Sequence, residues 1–230
     1  MERKYYEAYD DRYRQIHGQN LQWFYEEPTA IVRQTIDKFG VTCDHKMLEL
    51  GCGEGRDAFP LLLGGYDLLA TDISEVAISY CEKKQPEFSD RFKVLDCVAG
   101  EIAEKFDFIY AVAVIHMLVP DEDRNSFYTF IRNHLNPGGI ALICTMGDGE
   151  MERQTDIRTA FDLQDRTHEQ TGTRVQIAST SCRMVSFPTF ESEIVQNGFS
   201  LLEKGLTKAE PDFSTLMYAV VRPKETYEDL

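Results

Sequence analysis

The stretch that most constrains this chain is Leu48-Glu49-Leu50-Gly51-Cys52-Gly53-Glu54-Gly55-Arg56, a short apolar run that stops in alternating glycines. Glycine adopts positive φ at little cost and lets a ligand or a second backbone approach closely. A strand that turns at once into a helix needs both properties. The spacing therefore predicts a strand over Met47 to Leu50, a tight bend, and a helix from Arg56 to Leu63 stopped by Gly64-Gly65. Such a unit at the carboxyl edge of a sheet is a cradle for a nucleotide-type cofactor. The order of the glycines narrows the choice. They run G-x-G-x-G, unlike the G-x-G-x-x-G of dinucleotide sites, and no Gly-Lys-Ser/Thr of a P-loop follows. Glu49 ends the strand, where its carboxylate would repel a pyrophosphate and favour a cation.

The alternation continues downstream. Tyr66 to Thr71, Phe92 to Leu95, Phe106 to Val112 and Ile140 to Met146 are predicted strands. Ser74 caps a helix running to about Lys84, and a second helix spans Asp121 to Leu135 before Pro137-Gly138-Gly139. Strands and helices in this order imply crossovers and a parallel sheet covered on both faces. Phe190 to Asn197 is a predicted helix closed by Gly198. Leu201 to Thr207 and Phe213 to Val221 suit an antiparallel hairpin around Pro211-Asp212. The expected fold is α/β, a Rossmann-like, mostly parallel seven-stranded sheet with helices on both faces, within one domain of 230 residues. Two segments stand apart. Residues 1–40 form a helical cap, with Tyr5, Tyr6, Tyr9 and Tyr13 on one face, then a helix opened by Pro28 and stopped by Gly40. Residues 147–188 form an insertion after strand five, long enough to serve as a lid, with an extra strand expected within Ser179 to Phe187.

Two more strands are predicted to end in carboxylates. Asp72 closes the second strand, at a distance from the glycines that suits two vicinal ribose hydroxyls. Asp96 closes the third, where it would accept from an adenine amino group. Both also suit a plain helix cap or turn. With the Phe106-Asp107-Phe108-Ile109-Tyr110-Ala111 strand and the Leu135-Asn136-Pro137-Gly138-Gly139 turn, the glycine bend and the two acids resemble the ordered motifs of class I S-adenosylmethionine-dependent methyltransferases. The resemblance covers about residues 45–146. Gly55-Arg56 looks most like the subgroup containing tellurite-resistance and thiopurine methyltransferases. It implies S-adenosyl-L-methionine as cofactor, with S-adenosyl-L-homocysteine as product. Glu49, Gly51, Gly53 and Gly55, with Cys52 and Arg56 in the same bend, would shape the pocket for the methionine moiety. Asp72 would hold the ribose, Ile73 would lie against the adenine, and Asp96 and Cys97 would meet its edge. Val112 and His116 would stand near the sulfonium and the methyl acceptor.

Methyl transfer from a sulfonium asks the protein chiefly to position the acceptor and exclude water. A base matters only where the acceptor must lose a proton. His116 is the candidate for that role; its other reading is a buried structural histidine. Cys52 and Cys97 suit small packing residues as well. Ala111-Val112-Ala113-Val114-Ile115-His116 stands where methyltransferases of nucleobase amino groups carry Asn/Asp-Pro-Pro-Tyr. Substrate choice is expected to lie in the cap and the insertion. Every basic side chain of the insertion other than His168 is an arginine: Arg153, Arg158, Arg166, Arg174 and Arg183. Arginine forks bind carboxylate or phosphate, and Arg153 and Arg183 are taken as the substrate candidates; pairing with nearby acids is the alternative. Tyr13, Trp23, Phe24 and Tyr25 would close an apolar or cation-binding pocket, or simply pack.

The formal charge of −15 argues against nucleic acid and leaves a small molecule as the expected partner. The apolar runs are too short to span a bilayer, and the first residues lack the apolar stretch of a secretory signal, so a cytoplasmic location is expected. The six cysteines show no C-x-x-C pair, so no metal is expected and the thiols are expected free. Two other functions share these features: a non-catalytic S-adenosylmethionine-binding regulator or scaffold, and a nucleotide-dependent oxidoreductase, which the glycine spacing opposes. The sequence leaves the oligomeric state open.

Overall fold

A computed structural model describes residues 3–23, 25, 27–168, 170–210 and 213–224. Phe24 and the Pro211-Asp212 turn lie outside these residues. The elements are α1 (Ala8–His17), α2 (Ala30–Phe39), β1 (Lys46–Leu50), α3 (Ala58–Leu63), β2 (Asp67–Asp72), α4 (Glu75–Lys84), β3 (Phe92–Val94), β4 (Phe106–Val112), α5 (Asp121–His134) and β5 (Leu135–Met146). The insertion holds β6 (Arg153–Gln154), β7 (Leu163–Thr167), β8 (Arg174–Ala178) and β9 (Arg183–Met184). The chain then forms α6 (Phe187–Gln196), β10 (Phe199–Ala209) and β11 (Phe213–Pro223).

The main sheet has seven strands in the order β10-β11-β5-β4-β1-β2-β3. β3, β2, β1, β4 and β5 run parallel. β11 joins β5 antiparallel and pairs with β10 as the expected hairpin. Successive residues of the central strands point to opposite faces, and both faces are apolar, as a doubly covered parallel sheet requires. Leu48, Ile109, Ala111 and Ile143 pack with Phe127 and Ile131 of α5 and Phe190 and Ile194 of α6. Met47, Leu68, Phe108, Tyr110 and Leu142 pack with Ile31 and Ile36 of α2, Phe59 of α3 and Ile78 of α4.

The punctuation of the sequence acts as its chemistry dictates. Ser74 Oγ accepts from the Ala77 amide and caps α4. Gly40 ends α2 at φ 68°, a left-handed stop. α5 carries Asp121, Glu122 and Asp123 in its first turn and Arg132 and His134 in its last, complementing the helix dipole. The Asn136-Pro137-Gly138-Gly139 turn is a wide bulge inside β5. Leu135 pairs with Phe106 and Ile140 with Phe108, and the residues between are looped out.

The insertion differs from expectation. Ser179 to Phe187 contributes only the two residues of β9, paired with β6. The longer ladder is β7–β8, which places Gln164 opposite Ile177 and Arg166 opposite Val175. β7 reads Leu163-Gln164-Asp165-Arg166-Thr167, and both its faces are polar, so no apolar alternation marks it as a strand. α1 is tied to this ladder: the Arg12 guanidinium donates to the Ala178 and Ser179 carbonyls at 2.9–3.1 Å. Gln15 Oε1 accepts from the Ala178 amide at 2.7 Å.

Arg124 of α5 is 1% exposed and pins α5 to α6. Its Nε and Nη2 donate to the two carboxylate oxygens of Glu193 at 2.8 and 2.7 Å, and Nη1 donates to the Ile115 and Leu118 carbonyls. Removing one partner of such a pair strands a buried charge. Arg124→Ala should lower unfolding free energy by about 3–5 kcal/mol in urea titration. Arg158→Ala, which breaks the solvent-facing pair with Asp156, should change it by less than about 0.5 kcal/mol. Equal effects would remove Arg124 as the pin.

Candidate functional site

The bend after β1 is stitched to the end of β2. The amides of Gly51 and Cys52 both donate to the Thr71 carbonyl, at 2.7 and 2.8 Å, and the Gly53 amide donates to Asp72 Oδ2 at 2.9 Å. Gly51 has φ 75° and Gly53 φ 53°. A Cβ on Gly51 would lie 2.3 Å from Val114 Cγ2, and one on Gly53 would lie 2.6 Å from the Tyr13 hydroxyl. No side chain fits at either place.

Above the bend lies a cavity of about 630 Å³, within the range of small-ligand sites. Its floor is made by the carboxyl ends of β1 and β4 and the bend: Glu49, Gly51, Cys52, Gly53, Glu54, Val112, Ala113 and His116. Arg56 and Asp57 continue it. Its roof comes from α1 and the insertion, through Tyr9, Arg12, Tyr13, Trp23, Arg153, Gln164, Arg166, Val175 and Ile177. Two non-glycine residues at positive φ border it, Ala113 at 57° and Thr180 at 64°. Backbone strain of this kind gathers at functional sites.

The floor is acidic. Glu49 is 3% exposed. Burial and the nearby charges of Asp57 and Asp72 hold its pKa well above the carboxylate range, against only the hydrogen bond from the Tyr110 hydroxyl. Glu54 is also buried; Oε1 meets His17 Nε2 at 2.7 Å, while Oε2 has no partner. Burial raises the pKa of Asp57 and of Asp72, offset in part for Asp72 by the amides of Ser74 and Gly53. This cluster of buried carboxylates calls for a cation.

His116 stands on the 3-10 turn after β4, 4% exposed, with its ring edge-on to Phe213. Its Nδ1 has no hydrogen-bond partner. Burial, with the charges of Arg124 and Arg12, lowers its pKa to about 3. The imidazole is neutral at ordinary pH and binds a proton poorly, so it suits orienting an acceptor better than storing a proton.

Of the residues singled out in the sequence, Glu49, Gly51, Cys52, Gly53, Arg56, Val112, His116, Tyr13, Trp23 and Arg153 line this cavity. Arg56 is held by the Glu27 and Glu210 carbonyls. Gly55 sits against the Phe59 ring, where a Cβ would come within 2.5 Å. Asp72 lies beside the bend, and its Oδ1 also accepts from the Ser74 amide at 2.8 Å. Asp96 closes a turn through the amides of Val98 and Ala99 and accepts from the Tyr6 hydroxyl at 3.0 Å. Ile73 and Cys97 pack on the core edge near it. The N-terminal segment thus reaches Asp96 through Tyr6, in the turn before α1, and reaches the residue that caps α4 through Asp10 of α1, which accepts from Ser74 Oγ at 2.6 Å. Arg183 is elsewhere: it donates to Asp121 and to the Val119 carbonyl and borders a separate cleft with Arg124 and Glu193. Asp121, at the start of α5, holds the guanidinium there. Arg12, Glu54 and Asp57 were not singled out. Glu54 and Asp57 flank the bend, which is the one signal that would have found them.

Residues 48–141 match the family model described as a methyltransferase domain. The chain is 32% identical over 117 residues to a protein of Haemophilus influenzae named probable S-adenosyl-L-methionine-dependent methyltransferase TehB, a match covering 50% of this chain and 41% of that one. The matched part thus spans under half of that relative. Among solved structures, the CcbJ methyltransferase of Streptomyces caelestis superposes with a TM-score of 0.69 at 15% identity, over 95% of this chain and 98% of that one. The glycopeptide N-methyltransferase MtfA, complexed with S-adenosyl-L-methionine, superposes with a TM-score of 0.62 at 20% identity, over 89% of this chain and 91% of that one. These two likenesses establish a shared fold.

The lowered pKa of His116 makes a stability prediction. Below about pH 6.5 the unfolded chain takes up a proton that the folded histidine refuses, so this residue's contribution is complete above 6.5 and is lost as pH falls toward 3. Relative to His116→Gln, the wild-type chain should lose about 2–3 kcal/mol of unfolding free energy between pH 7 and about pH 4.5. Parallel pH profiles for the two proteins would show that His116 is not held neutral.

Proposed function

We propose that this chain, which carries a class I S-adenosylmethionine-dependent methyltransferase domain, moves a methyl group from S-adenosyl-L-methionine to a small-molecule acceptor in the cavity over the glycine bend. The observation that carries this reading is the acidic floor, where the buried carboxyl groups of Glu49, Glu54 and Asp57 line the cavity and Arg56 is the one basic side chain among the described residues of the bend. A ligand bearing an ammonium and a sulfonium supplies positive charge there.

The residues present fit this compound. Gly51 and Gly53 keep the bend low enough for close approach, and Glu49 and Glu54 would receive the ammonium of its methionine end. Asp72 would take the ribose hydroxyls through the lone pairs left by the Gly53 and Ser74 amides, and Asp96 the adenine amino group in place of the Tyr6 hydroxyl. Gly55 supports the bend from behind by making room for Phe59. When bound, the cofactor supplies an electrophilic methyl group whose transfer to the acceptor's lone pair leaves S-adenosyl-L-homocysteine. The chain's own part is to hold the acceptor in line, keep water out with α1 and the β7–β8 ladder, and set the neutral His116 ring beside the acceptor. Val112 and Ala113 set the depth of the floor beside it. α1 and the insertion act as a cap and lid.

A small molecule, not nucleic acid, suits both the cavity volume and the charge of −15. The six cysteines are free thiols, which suits the reducing cytoplasm. Among the described residues no helix is long and apolar enough to cross a membrane.

Titration calorimetry should show S-adenosyl-L-homocysteine binding and no binding of NAD. Asp72→Ala should weaken the former by about 1–3 kcal/mol, and Glu49→Gln should weaken S-adenosyl-L-methionine at least as much. Absence of binding, or preference for NAD, would overturn the proposal; binding without methyl transfer to any thiol, amine or acid acceptor would leave a regulator or scaffold instead.

A further inference from the structure

The roof of the cavity has the opposite charge to its floor. The insertion is rich in acids, with Asp148, Glu150, Glu152, Asp156, Asp162 and Asp165. Among the described residues none of these carboxylates lines the cavity, whereas Arg153 and Arg166 both do. The segregation follows from the ladder. On β7, Gln164 and Arg166 alternate with Asp165, and the former two border the cavity while Asp165 does not. Their cross-strand partners Ile177 and Val175 border it too, so one face of the ladder is turned inward.

The five arginines of the insertion now separate by their partners. Arg158 is bidentate with Asp156, and Arg183 is paired with Asp121. Arg174 lies outside the cavity. Arg153 makes only a 3.2 Å contact from Nε to Met184 Sδ, and the Arg166 guanidinium has no hydrogen bond or ion pair within the described chain. In a protein with 39 acidic and 24 basic side chains, these two solvent-accessible arginines border the cavity without a carboxylate partner among the described residues, and their guanidinium groups are available to an anion that enters it. Arg12, held in the roof by the Ala178 and Ser179 carbonyls, adds to the same positive field. Beside these groups the wall is apolar and aromatic, through Trp23, Val175, Ile177 and Phe213. A guanidinium pair next to an apolar wall fits a carbon skeleton carrying an oxyanion better than it fits a bare inorganic anion.

We propose that the methyl acceptor is an organic acid, whose carboxylate or equivalent oxyanion is received by Arg153 and Arg166 while its apolar body lies against Trp23 and Phe213, in reach of His116. The inference rests on the methyltransferase reading. It assigns substrate selection to the lid, and it gives the cavity two poles: a cation site on the floor for the cofactor and an anion site on the roof for the acceptor.

The test uses the full chain saturated with S-adenosyl-L-homocysteine, so that cofactor binding is verified first and separately. Matched sets that share one skeleton are then titrated by ligand-observed NMR: benzoate, benzamide and benzylamine, with hexanoate, hexanamide and hexylamine, and inorganic phosphate and sulfate as further arms. The acids should bind at least about 10-fold more tightly than their amides and amines. Arg166→Gln and Arg153→Gln should each erase most of that preference, with Arg166→Lys restoring part of it. Neither should change the affinity for S-adenosyl-L-homocysteine, and Arg158→Gln should change nothing. Amides or amines binding as well as acids, acid preference surviving in both glutamine variants, or binding confined to the inorganic anions would each overturn the proposal. Failure of S-adenosyl-L-homocysteine to bind at the outset would sink the methyltransferase reading itself, a result distinct from these.

Discussion

The Thr71 carbonyl accepts two hydrogen bonds from consecutive amides, those of Gly51 and Cys52, and this double acceptor fixes where β1 stops and the bend begins. The geometry is available only because Gly51 sits at positive φ with its missing Cβ against Val114. Everything on the cavity floor inherits its place from it. Glu49 projects from the last turn-free residues of β1, Gly53 reaches Asp72, and Glu54 is brought round to His17. A side chain at residue 51 would be strained by the positive φ and would meet the Val114 side chain in the turn after β4.

The sheet was legible because its central strands are buried on both faces and therefore read as nearly continuous apolar runs, interrupted only by Asp107 in Phe106 to Val112 and by Thr145 in Ile140 to Met146. The glycine bend and its acids were legible because special backbone geometry restricts residue type. The roof was far less so. β7 has one face to the cavity and one to solvent, both polar, so its period of two carries no hydrophobic signal. Arg12 falls on a helix whose visible feature is its tyrosines, and its role depends on carbonyls 166 and 167 residues away in sequence. Arg153 and Arg183 look alike in sequence and part company only because Asp121 stands close to one of them. The strand-end acids show a different limit. Asp72 and Asp96 both bond to nearby amides, as capping residues do, and that local duty is compatible with ligand contact, because a carboxylate oxygen has more than one lone pair.

The cavity is polarised by a division of labour within the chain. The buried acids belong to the sheet and its bend, which are deeply packed; the two cavity arginines without a carboxylate partner belong to the insertion, which is tied to α1 and built on two short ladders. Chemistry common to many acceptors would thus sit on the stiff layer, and discrimination among acceptors on the layer that tolerates sequence change.

Glu49, Asp57 and Asp72 are buried beside the bend, and burial holds each of them back from ionising. A cationic guest favours their charged forms, so its capture is linked to the release of protons from the floor.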